Sequence, residues 1–581
     1  MHTAAGLLPA PVSVVAIGTP GASGASAAPG TVPGMLTLRT GVRVSAHPEL
    51  AAAARWWRRT TESAFGIDLH GVPEAPADVT FAVGPDLPAG GYRLTVDGDG
   101  VRVEAADAAG AHAAAQTLRQ LAGPQAYRAA PTAPDITGVN LAHVTITDHP
   151  RFVWRGVLLD VARHFMPPRE VMRFVDLAAA HKLNVVQLHL TDDQGWRMPV
   201  ERYPRLTTTG GWRRESNVGT WRSGVLDGRP HGGSYTRDDL REIVAHARER
   251  GVTIVPEIDV PGHVEAAVAA YPELGTRKTP HEVRTTWGVS TEVLDPSEDS
   301  LAFFRHVLDE VLDVFDSPWI ALGGDEVPAT LWREQPEIVA RAQDLGLADV
   351  TGLHGWFLAR LAEHVRAAGR RAIVWDEAFG PQLPTDVAVT SWRGYAVGAR
   401  ALAAGHDVVM SPEQVVYLDH RAGDGADEPV PVGFLRTVED VYAFEPMPAG
   451  ALAETLGTGT TTGRLLGAQA AVWTEHLDSP RRVDYATYPR LAAFAEAVWS
   501  PATDRSPGSP TSREFLGRLE RDHLPRLSAA GVEHRPLDGP HPWQTRPGAQ
   551  GFPRDLAAET AAGGWAGVGG WVDGRDDGAQ P

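Results

Sequence analysis

The chain has 581 residues, a formal charge of −19 with histidine neutral, and no cysteine. This acidity argues against nucleic acid or an anionic membrane surface as a partner and favours a neutral substrate. The lack of cysteine excludes disulfides and thiolate metal sites, and no apolar run is long enough to span a membrane.

The N-terminal segment lacks the features of a secretory signal. Residues 1–20 contain no Lys or Arg, and Pro9 and Pro11 interrupt the apolar run. We therefore expect a chain that starts near Met1 and a cytoplasmic location, with secretion through an unusual short signal as the alternative. The composition of residues 19–33 predicts a flexible loop.

Residues 1–145 predict a small α/β domain. Apolar residues alternate over 94–96 and 101–103 around an Asp-Gly-Asp-Gly turn, which predicts a hairpin. Residues 109–123 predict a helix that closes at Gly123.

From residue 154 to about 500, short apolar strands alternate with amphipathic helices. The strand candidates are RGVLLDVAR, NVVQLHLTD, VTIVPEID, WIALGGDE, RAIVWDEA, VAVTSWR, DVVMSP and LLGAQAAVWTE. Between them, residues 236–251 follow helical spacing from a Thr236 cap to Gly251. Eight such units predict a (β/α)8 TIM barrel over residues 146–500, with a doubly wound open sheet as the alternative.

Charged and aromatic residues collect where these strands end, which is where barrel enzymes carry their catalytic groups. They are Arg163, Asp192, Asp193, Trp196, Glu257, Asp259, Asp325, Glu326, Trp375, Asp376, Glu377, Trp392, Trp473 and Glu475. Contact with solvent explains one or two acids, but not an arginine and four tryptophans at the same rim. Indole faces stack on pyranose rings and charged groups bind hydroxyls, so a sugar site is predicted. For the rings alone, core packing is an equally good explanation.

Asp325 and Glu326 are sequence neighbours at the end of a predicted strand. Glycoside hydrolysis usually needs two carboxyl groups on either side of one bond. Neighbours on a strand point to opposite sides, so these two are not expected to act as an acid and a carboxylate nucleophile on the same bond. One of them can be the acid, and another group must then attack the anomeric carbon.

Asp259 and His263 lie four residues apart across a Pro-Gly turn. Such a pair can tune the pKa of a nearby carboxylic acid. Together with Asp192 and Asp325 they could instead form the metal site of an amidohydrolase. No second histidine has ligand spacing, His189 being the nearest candidate, so we expect no metal and no cofactor.

Six motifs, in order, resemble those of glycoside hydrolase family 20, the β-N-acetylhexosaminidases. They are DVARHF, HLTDDQGWR, PEIDVPGH, GGDE, AVWTE and YPRLAAFAEAVWS. LLPAPVSV and AQTLRQL are similar to segments of the family's N-terminal non-catalytic domain, which the resemblance implies for residues 1–145. The resemblance implies an exo-acting, retaining enzyme that removes terminal N-acetylglucosamine or N-acetylgalactosamine from an oligosaccharide or glycoconjugate.

The resemblance also implies a mechanism in which the substrate's own 2-acetamido oxygen attacks and closes an oxazoline. Glu326 matches the general acid/base. Asp325 matches the residue that binds and orients the acetamide N–H. Asp259 and His263 resemble a relay behind Glu326.

Eight further positions resemble the family's substrate-binding residues. They are Arg163 for O3 and O4, Asp419 and Glu475 for O4 and O6, Trp375, Trp392 and Trp473 for the acetamido pocket, Tyr417 for the acetamido oxygen, and Asp192 beside the relay. Two positions depart from the family pattern. Ala321 replaces a histidine and is expected to change packing below the site, whereas Val432 replaces a platform tryptophan and bears on substrate preference.

Two other functions fit the same residues. A barrel glycosidase could use Glu475 or Asp192 as its nucleophile, and a degenerate barrel could bind sugar without cleaving it. Residues 501–581 are expected to form a helix over 512–531 that packs on the barrel, followed by a mobile Gly-rich tail.

Overall fold

The structure is a computed structural model and describes residues 6–17, 34–71, 77–457 and 459–561. The predicted loop over 19–33 and the Gly-rich tail beyond residue 561 lie outside these ranges. Among the described residues, no helix combines the length and the apolar character that crossing a bilayer requires.

The N-terminal part is built on a six-stranded mixed sheet. In spatial order its strands are Ser13–Ala16, Val144–Asp148, Tyr92–Asp97, Gly100–Ala105, Val79–Val83 and Val44–Ala46, and a separate pair joins Met35–Arg39 to Gly138–Ala142. The predicted hairpin is present as two antiparallel strands of this sheet. The predicted helix is also present, since Ala108–Leu121 begins at an Asp107 cap and packs beside Ala51–Phe65.

Eight parallel strands close into a barrel, which confirms the predicted (β/α)8 fold and excludes the open sheet. In chain order they are β1 Trp154–Asp160, β2 Val185–His189, β3 Thr253–Glu257, β4 Trp319–Ala321, β5 Arg371–Trp375, β6 Ala388–Ser391, β7 Val408–Met410 and β8 Leu465–Val472. Each predicted strand segment overlaps one of them, and β1 starts one residue before its segment. However, β4 ends at Ala321, whereas the sequence predicts a strand through Glu326.

Two helices around the barrel begin at side-chain caps, one of which is the predicted Thr236. Thr236 and Asp239 form a capping box at the start of Arg237–Arg248, and Ser297 caps Glu298–Val314. The other α-helices of the described ranges are Pro168–Ala180, Arg205–Thr208, Glu265–Ala270, Thr330–Glu334, Pro336–Asp344, Gly352–Ala367, Tyr395–Ala403, Glu413–Val416, Val438–Tyr442, Ala449–Leu456, Pro480–Thr487, Arg490–Trp499, Pro510–Arg518, Leu524–Ala529 and Leu556–Ala561.

Two layers of side chains fill the barrel interior below the site. The lower layer is apolar and consists of Trp154, Val185, Val255, Ala321, Ile373, Ala388, Val409 and Leu466. Ala321 is therefore a packing residue of this layer. The next layer is polar, because Gln469 donates to Gln187 at 3.0 Å and Gln187 donates to Glu257 at 2.9 Å.

A buried ion pair joins the N-terminal sheet to the barrel. Lys182 Nζ, in the turn before β2, lies 2.8 Å from Asp148 Oδ2, and both residues are almost fully buried. Tyr92 Oη and Trp499 Nε1 also donate to Asp148, at 2.9 and 3.0 Å. The pair thus fixes one domain on the other.

The C-terminal helices hold the start of the described chain. Arg526 Nη1 donates to the carbonyl of Gly6 at 2.9 Å, and Arg518 Nη1 donates to that of Leu7 at 2.8 Å. Arg518 also pairs with Glu496 at 2.7 Å. A π-helical turn over Leu519–His523 joins the two helices, which occupy the region predicted as helical.

We predict that Lys182→Met lowers the free energy of unfolding by about 3–5 kcal/mol, because it leaves the Asp148 carboxylate buried and unpaired. Arg59 and Glu249 form a half-exposed ion pair between the same two domains, so Arg59→Met should cost less than about 1 kcal/mol. Thermal and urea unfolding of both variants measure the difference, and equal losses would contradict the assignment.

Candidate active site

The turn after β4 determines how the two neighbouring acids point. Gly323 and Gly324 have φ of +65° and +92°, and Glu326 has φ of +48°. These left-handed residues end the strand, so the alternation expected for Asp325 and Glu326 does not apply. Both carboxylates instead approach His263 Nε2, at 3.6 Å from Asp325 and 3.4 Å from Glu326.

His263 connects this acid pair to Asp192. Its Nδ1 lies 3.2 Å from Asp192 Oδ1 and 3.6 Å from Asp193 Oδ2. Burial opposes a charge on the imidazole, but Asp192 and Asp325 raise the pKa of His263 well above its ordinary value. The geometry is that of an Asp192–His263–Glu326 relay.

Asp259 does not occupy the expected position in this relay. Its Oδ1 accepts from the Gly324 N–H at 3.0 Å, so it braces the turn that carries the acids. It lies beside Asp325, and burial together with that neighbour raises the pKa of Asp259 well above its ordinary value. Sequence spacing suggested Asp259 as the partner of His263, but the acid that contacts His263 comes from the segment after β2.

Arg163 supplies the main positive charge of the site. Its Nη2 lies 2.7 Å from Asp192 Oδ2, and its Nη1 lies 3.4 Å from Asp160 and 3.9 Å from Glu475. Its Nε donates to Gln194 at 3.2 Å. The guanidinium is thus held between the ends of β1, β2 and β8. It lies beside Asp192 and Glu475, two of the residues predicted to bind the sugar.

Trp375, Trp392, Tyr417 and Trp473 form one aromatic cluster at the barrel mouth. The centroid of the Trp473 ring lies 6.1 Å from that of Trp375 and 6.0 Å from that of Tyr417, and Trp392 stacks on Tyr417 at 6.3 Å. The Arg163 guanidinium lies 5.1 Å above Trp473. The cluster therefore borders the charged groups and forms a wall beside them.

Trp196, the fourth tryptophan of the predicted rim, does not belong to this wall. Its Nε1 donates to the Met198 carbonyl at 2.6 Å, and its ring packs against Phe304 between the barrel and its helices. Its role is structural, as expected from the core-packing alternative.

Asp419 and Glu475 lie at the Arg163 side of the site. Burial raises the pKa of Glu475 to about 7 although Arg163 opposes the shift, and burial also raises the pKa of Asp419. Asp419 Oδ1 is buried without a hydrogen-bond partner among the described residues. A hydroxylated ligand would supply the missing donor.

Two family models match the chain. The model described as glycosyl hydrolase family 20, catalytic domain, matches residues 152–502, which is more than half of the sequence. The chain belongs to glycosyl hydrolase family 20. The model described as domain 2 of the same family matches residues 27–149.

Curated relatives and solved structures agree with this family 20 membership. A beta-hexosaminidase of Porphyromonas gingivalis is 36% identical over 80% of this chain, which spans 58% of that protein, and one of Vibrio furnissii is 34% identical over 80% of this chain and 74% of its own length. An exo beta-N-acetylglucosaminidase structure from Vibrio harveyi with N-acetylglucosamine superposes with a TM-score of 0.77 at 30% identity, covering 92% and 79% of the two chains.

Three buried polar residues of this family 20 site were not assigned a role from the sequence. Glu257 and His189 lie behind Asp192, and Glu377 accepts from Trp392 Nε1 at 2.8 Å. Strand alternation could have found the first two. His189 follows the inward-facing Gln187 by two residues, and Glu257 is paired with His189 in the β2–β3 register.

The C-terminal segment adds to the barrel mouth at the position of the missing tryptophan. Val432–Gly433 pairs with Phe552–Pro553, and Arg554 forms an ion pair with the buried Glu413, whose N–H donates to the Trp392 carbonyl at 2.9 Å. Val432 is itself buried. The departure at Val432 thus coincides with a strand contact that the catalytic-domain model does not include.

Several histidine and acid groups of the site could in principle hold an ion. Among the described residues, the buried sets are His189, Glu257 and Asp259; Asp192, Asp193 and His263; and, partly buried, Asp259, His263 and Asp325. Arg163 and the two histidines place positive charge between these carboxylates. An ion would have to compete with those contacts.

We predict that Gly323→Ala destabilises the protein more than Gly346→Ala does. Both glycines are left-handed, which costs alanine about 1–2 kcal/mol. A methyl group on Gly323 would also overlap the Asp259 carboxylate, whereas Gly346 has open space around it. Unfolding midpoints of the two variants test this, and equal midpoints would show that the turn tolerates the methyl group.

Proposed function

We propose that this chain is an exo-acting, retaining β-N-acetylhexosaminidase that removes a terminal N-acetylhexosamine by substrate-assisted catalysis. The observation that carries the proposal is the meeting of Asp325 and Glu326 at His263 beside an aromatic pocket. The relatives named beta-hexosaminidase and the structural neighbour with N-acetylglucosamine support the same activity.

In the first step the acetamide carbonyl oxygen attacks the anomeric carbon while Glu326 gives its proton to the leaving oxygen. The ring that forms is an oxazoline that carries positive charge. Asp325 accepts the acetamide N–H and stabilises that charge. The aromatic wall of Trp375, Trp392 and Trp473 excludes water from the attacking group.

In the second step Glu326 takes a proton from water, and the water opens the oxazoline from the face that the leaving group left. Two inversions give net retention. His263 stands within 3.4 Å of the acid that changes protonation, and Asp192 fixes the His263 ring. The charge of Glu326 changes as it loses and regains its proton, and the adjacent Asp192–His263 pair compensates that change.

The other polar groups bind the hydroxyls of the terminal sugar. We assign O3 and O4 to Arg163, and O4 and O6 to Asp419 and Glu475. Tyr417 donates to the acetamide oxygen from the aromatic wall. A site that binds every hydroxyl of one ring leaves room for a terminal residue only, which accounts for exo action.

The geometry disfavours Asp192 as a nucleophile and a barrel that only binds sugar. Asp192 is fully buried and contacts Arg163, His189 and His263, so it is not free to attack an anomeric carbon. A sugar-binding barrel without catalysis would not need an acid pair in contact with a histidine.

The direct test is hydrolysis of paired aryl GlcNAc, GalNAc and glucose substrates, with the anomer followed by NMR. We expect cleavage of the acetamido sugars with retention, no cleavage of the glucoside, and inhibition by a thiazoline mimic of the oxazoline. Chelator should not change the rates, since we expect no metal. Equal cleavage of the glucoside, or an inverted product, would refute the mechanism.

We predict that Asp325→Asn and Glu326→Gln each lower kcat by about 10²–10⁴-fold, because each removes a group that acts in the transition state. Azide should partly restore Glu326→Ala on an activated aryl substrate, since azide needs no general base. It should not restore Asp325→Ala, in which the acetamide is no longer oriented. Rescue of both variants would argue against separate roles.

We predict that KM rises as the pH falls below about 7, because Glu475 then loses the charge that accepts sugar hydroxyls and faces Arg163. The ionised form is the one present above that pKa, so the affinity is lost towards acid. Glu475→Gln should have a higher KM with little change between pH 6 and 8. The same pH dependence in that variant would assign the effect to another group.

A further inference from the structure

Glu257 is fully buried at the end of β3, and the proposed reaction gives it no contact with the sugar. Its Oε2 accepts from Gln187 Nε2 at 2.9 Å and lies 2.8 Å from His189 Nδ1. Its Oε1 accepts from Trp375 Nε1 at 2.9 Å. Donors from β2 and β5 thus fix both oxygens of one carboxylate.

His189 lies between two carboxylates. Its Nδ1 faces Glu257 at 2.8 Å, and its Nε2 faces Asp192 Oδ2 at 2.9 Å. A neutral imidazole donates from one nitrogen only, so both contacts are satisfied by the doubly protonated ring. Burial opposes that charge, but Glu257 and Asp192 raise the pKa of His189 well above its ordinary value.

The contacts continue from His189 to the acid/base group. Asp192 Oδ2 accepts from His189 Nε2, and Asp192 Oδ1 lies 3.2 Å from His263 Nδ1. His263 Nε2 in turn lies 3.4 Å from Glu326. Charges alternate along this row. The other oxygen of Glu257 accepts from the Trp375 indole of the aromatic wall. One carboxylate thus contacts both the row of charged residues and the wall.

We propose that Glu257 is a positioning residue for the reaction. It keeps His189 doubly protonated, which fixes Asp192 and His263 behind Glu326, and it holds the Trp375 indole in the pocket wall. This inference rests on the proposed function and extends it to residues that do not touch the substrate.

The other titratable groups that face Glu257 are Asp259, after the same strand, and Asp325, after β4. Both are acids whose pKa burial raises, whereas Gln187 and Trp375 are neutral donors. His189 is the cation that contacts Glu257 among the described residues. Removing the charge of Glu257 should therefore release the proton of His189.

The direction of a pH shift tests this coupling. In Glu257→Gln the His189 ring loses its second proton and its positive charge. Apart from Arg163, that ring is the nearest positive charge to Asp192. Protons on the His263–Glu326 unit are then held more tightly. The basic limb of the pH profile of kcat/KM, where activity falls as the pH rises, should therefore move to higher pH by about half to one unit. If Glu257 acted only as a distant negative charge, the limb would move down instead.

His189→Gln should move the basic limb in the same upward direction, and combining it with Glu257→Gln should add little further shift. Glu257→Gln should lower kcat by about 10- to 100-fold, because the acid/base arm is displaced. It should also weaken thiazoline binding more than His189→Gln does, since only the change at Glu257 replaces the charged acceptor of the Trp375 Nε1–H by a neutral one. Thermal unfolding checks that each variant is folded.

Two variants control for a purely structural role. Gln469→Met alters the same polar layer without removing a charge and should retain the wild-type pH profile. Glu257→Asp keeps the charge and should lower kcat without moving the basic limb. If Glu257→Gln does not fold, His189→Gln and Glu257→Asp together decide the question.

An unchanged or downward-shifted limb in Glu257→Gln or His189→Gln would overturn the inference, as would an upward shift in Glu257→Asp. The measurements use the full chain on an aryl N-acetylglucosaminide. Failure of the wild-type protein to cleave any acetamido substrate would instead refute the proposed function, so the two failures are distinguishable.

Discussion

The site depends on keeping several carboxylates close together inside a protein. A buried carboxylate is stable only if it is paired or neutralised. The barrel satisfies this requirement by placing Arg163, His189 and His263 between the acids, so that Asp192, Glu257 and Glu326 each have a cation beside them. Asp259 and Asp325 lie next to each other, and burial raises the pKa of both.

The backbone also determines the geometry of the site. Three left-handed residues in the turn after β4 bring two sequence neighbours to the same histidine, and His263 is itself left-handed at φ of +52°. A non-glycine residue in this region costs about 1–3 kcal/mol and persists only where its surroundings fix it. Here the Asp259 carboxylate fixes it through the Gly324 N–H. The acid pair is therefore built from an unfavourable backbone that the core stabilises.

Much of the fold could be predicted from the sequence, because apolar strands and capped helices are local signals. All eight barrel strands overlap predicted segments. The site was predicted less completely, since contacts between strands depend on register. Asp259 was expected beside His263 because the two are close in sequence, whereas the contacting acid, Asp192, is 71 residues away. Glu257 and Trp375 lie 118 residues apart, and no short motif links them.

The arginines of the C-terminal helices bear on how the chain folds as it is made. Their hydrogen bonds to Leu7 and Gly6 join residues 511 and 520 positions apart. Trp499, which packs into the core of the N-terminal domain, also comes late in the chain. The N-terminal domain therefore stays incomplete until these later helices have been synthesised, and its apolar surface is exposed to other molecules during that interval.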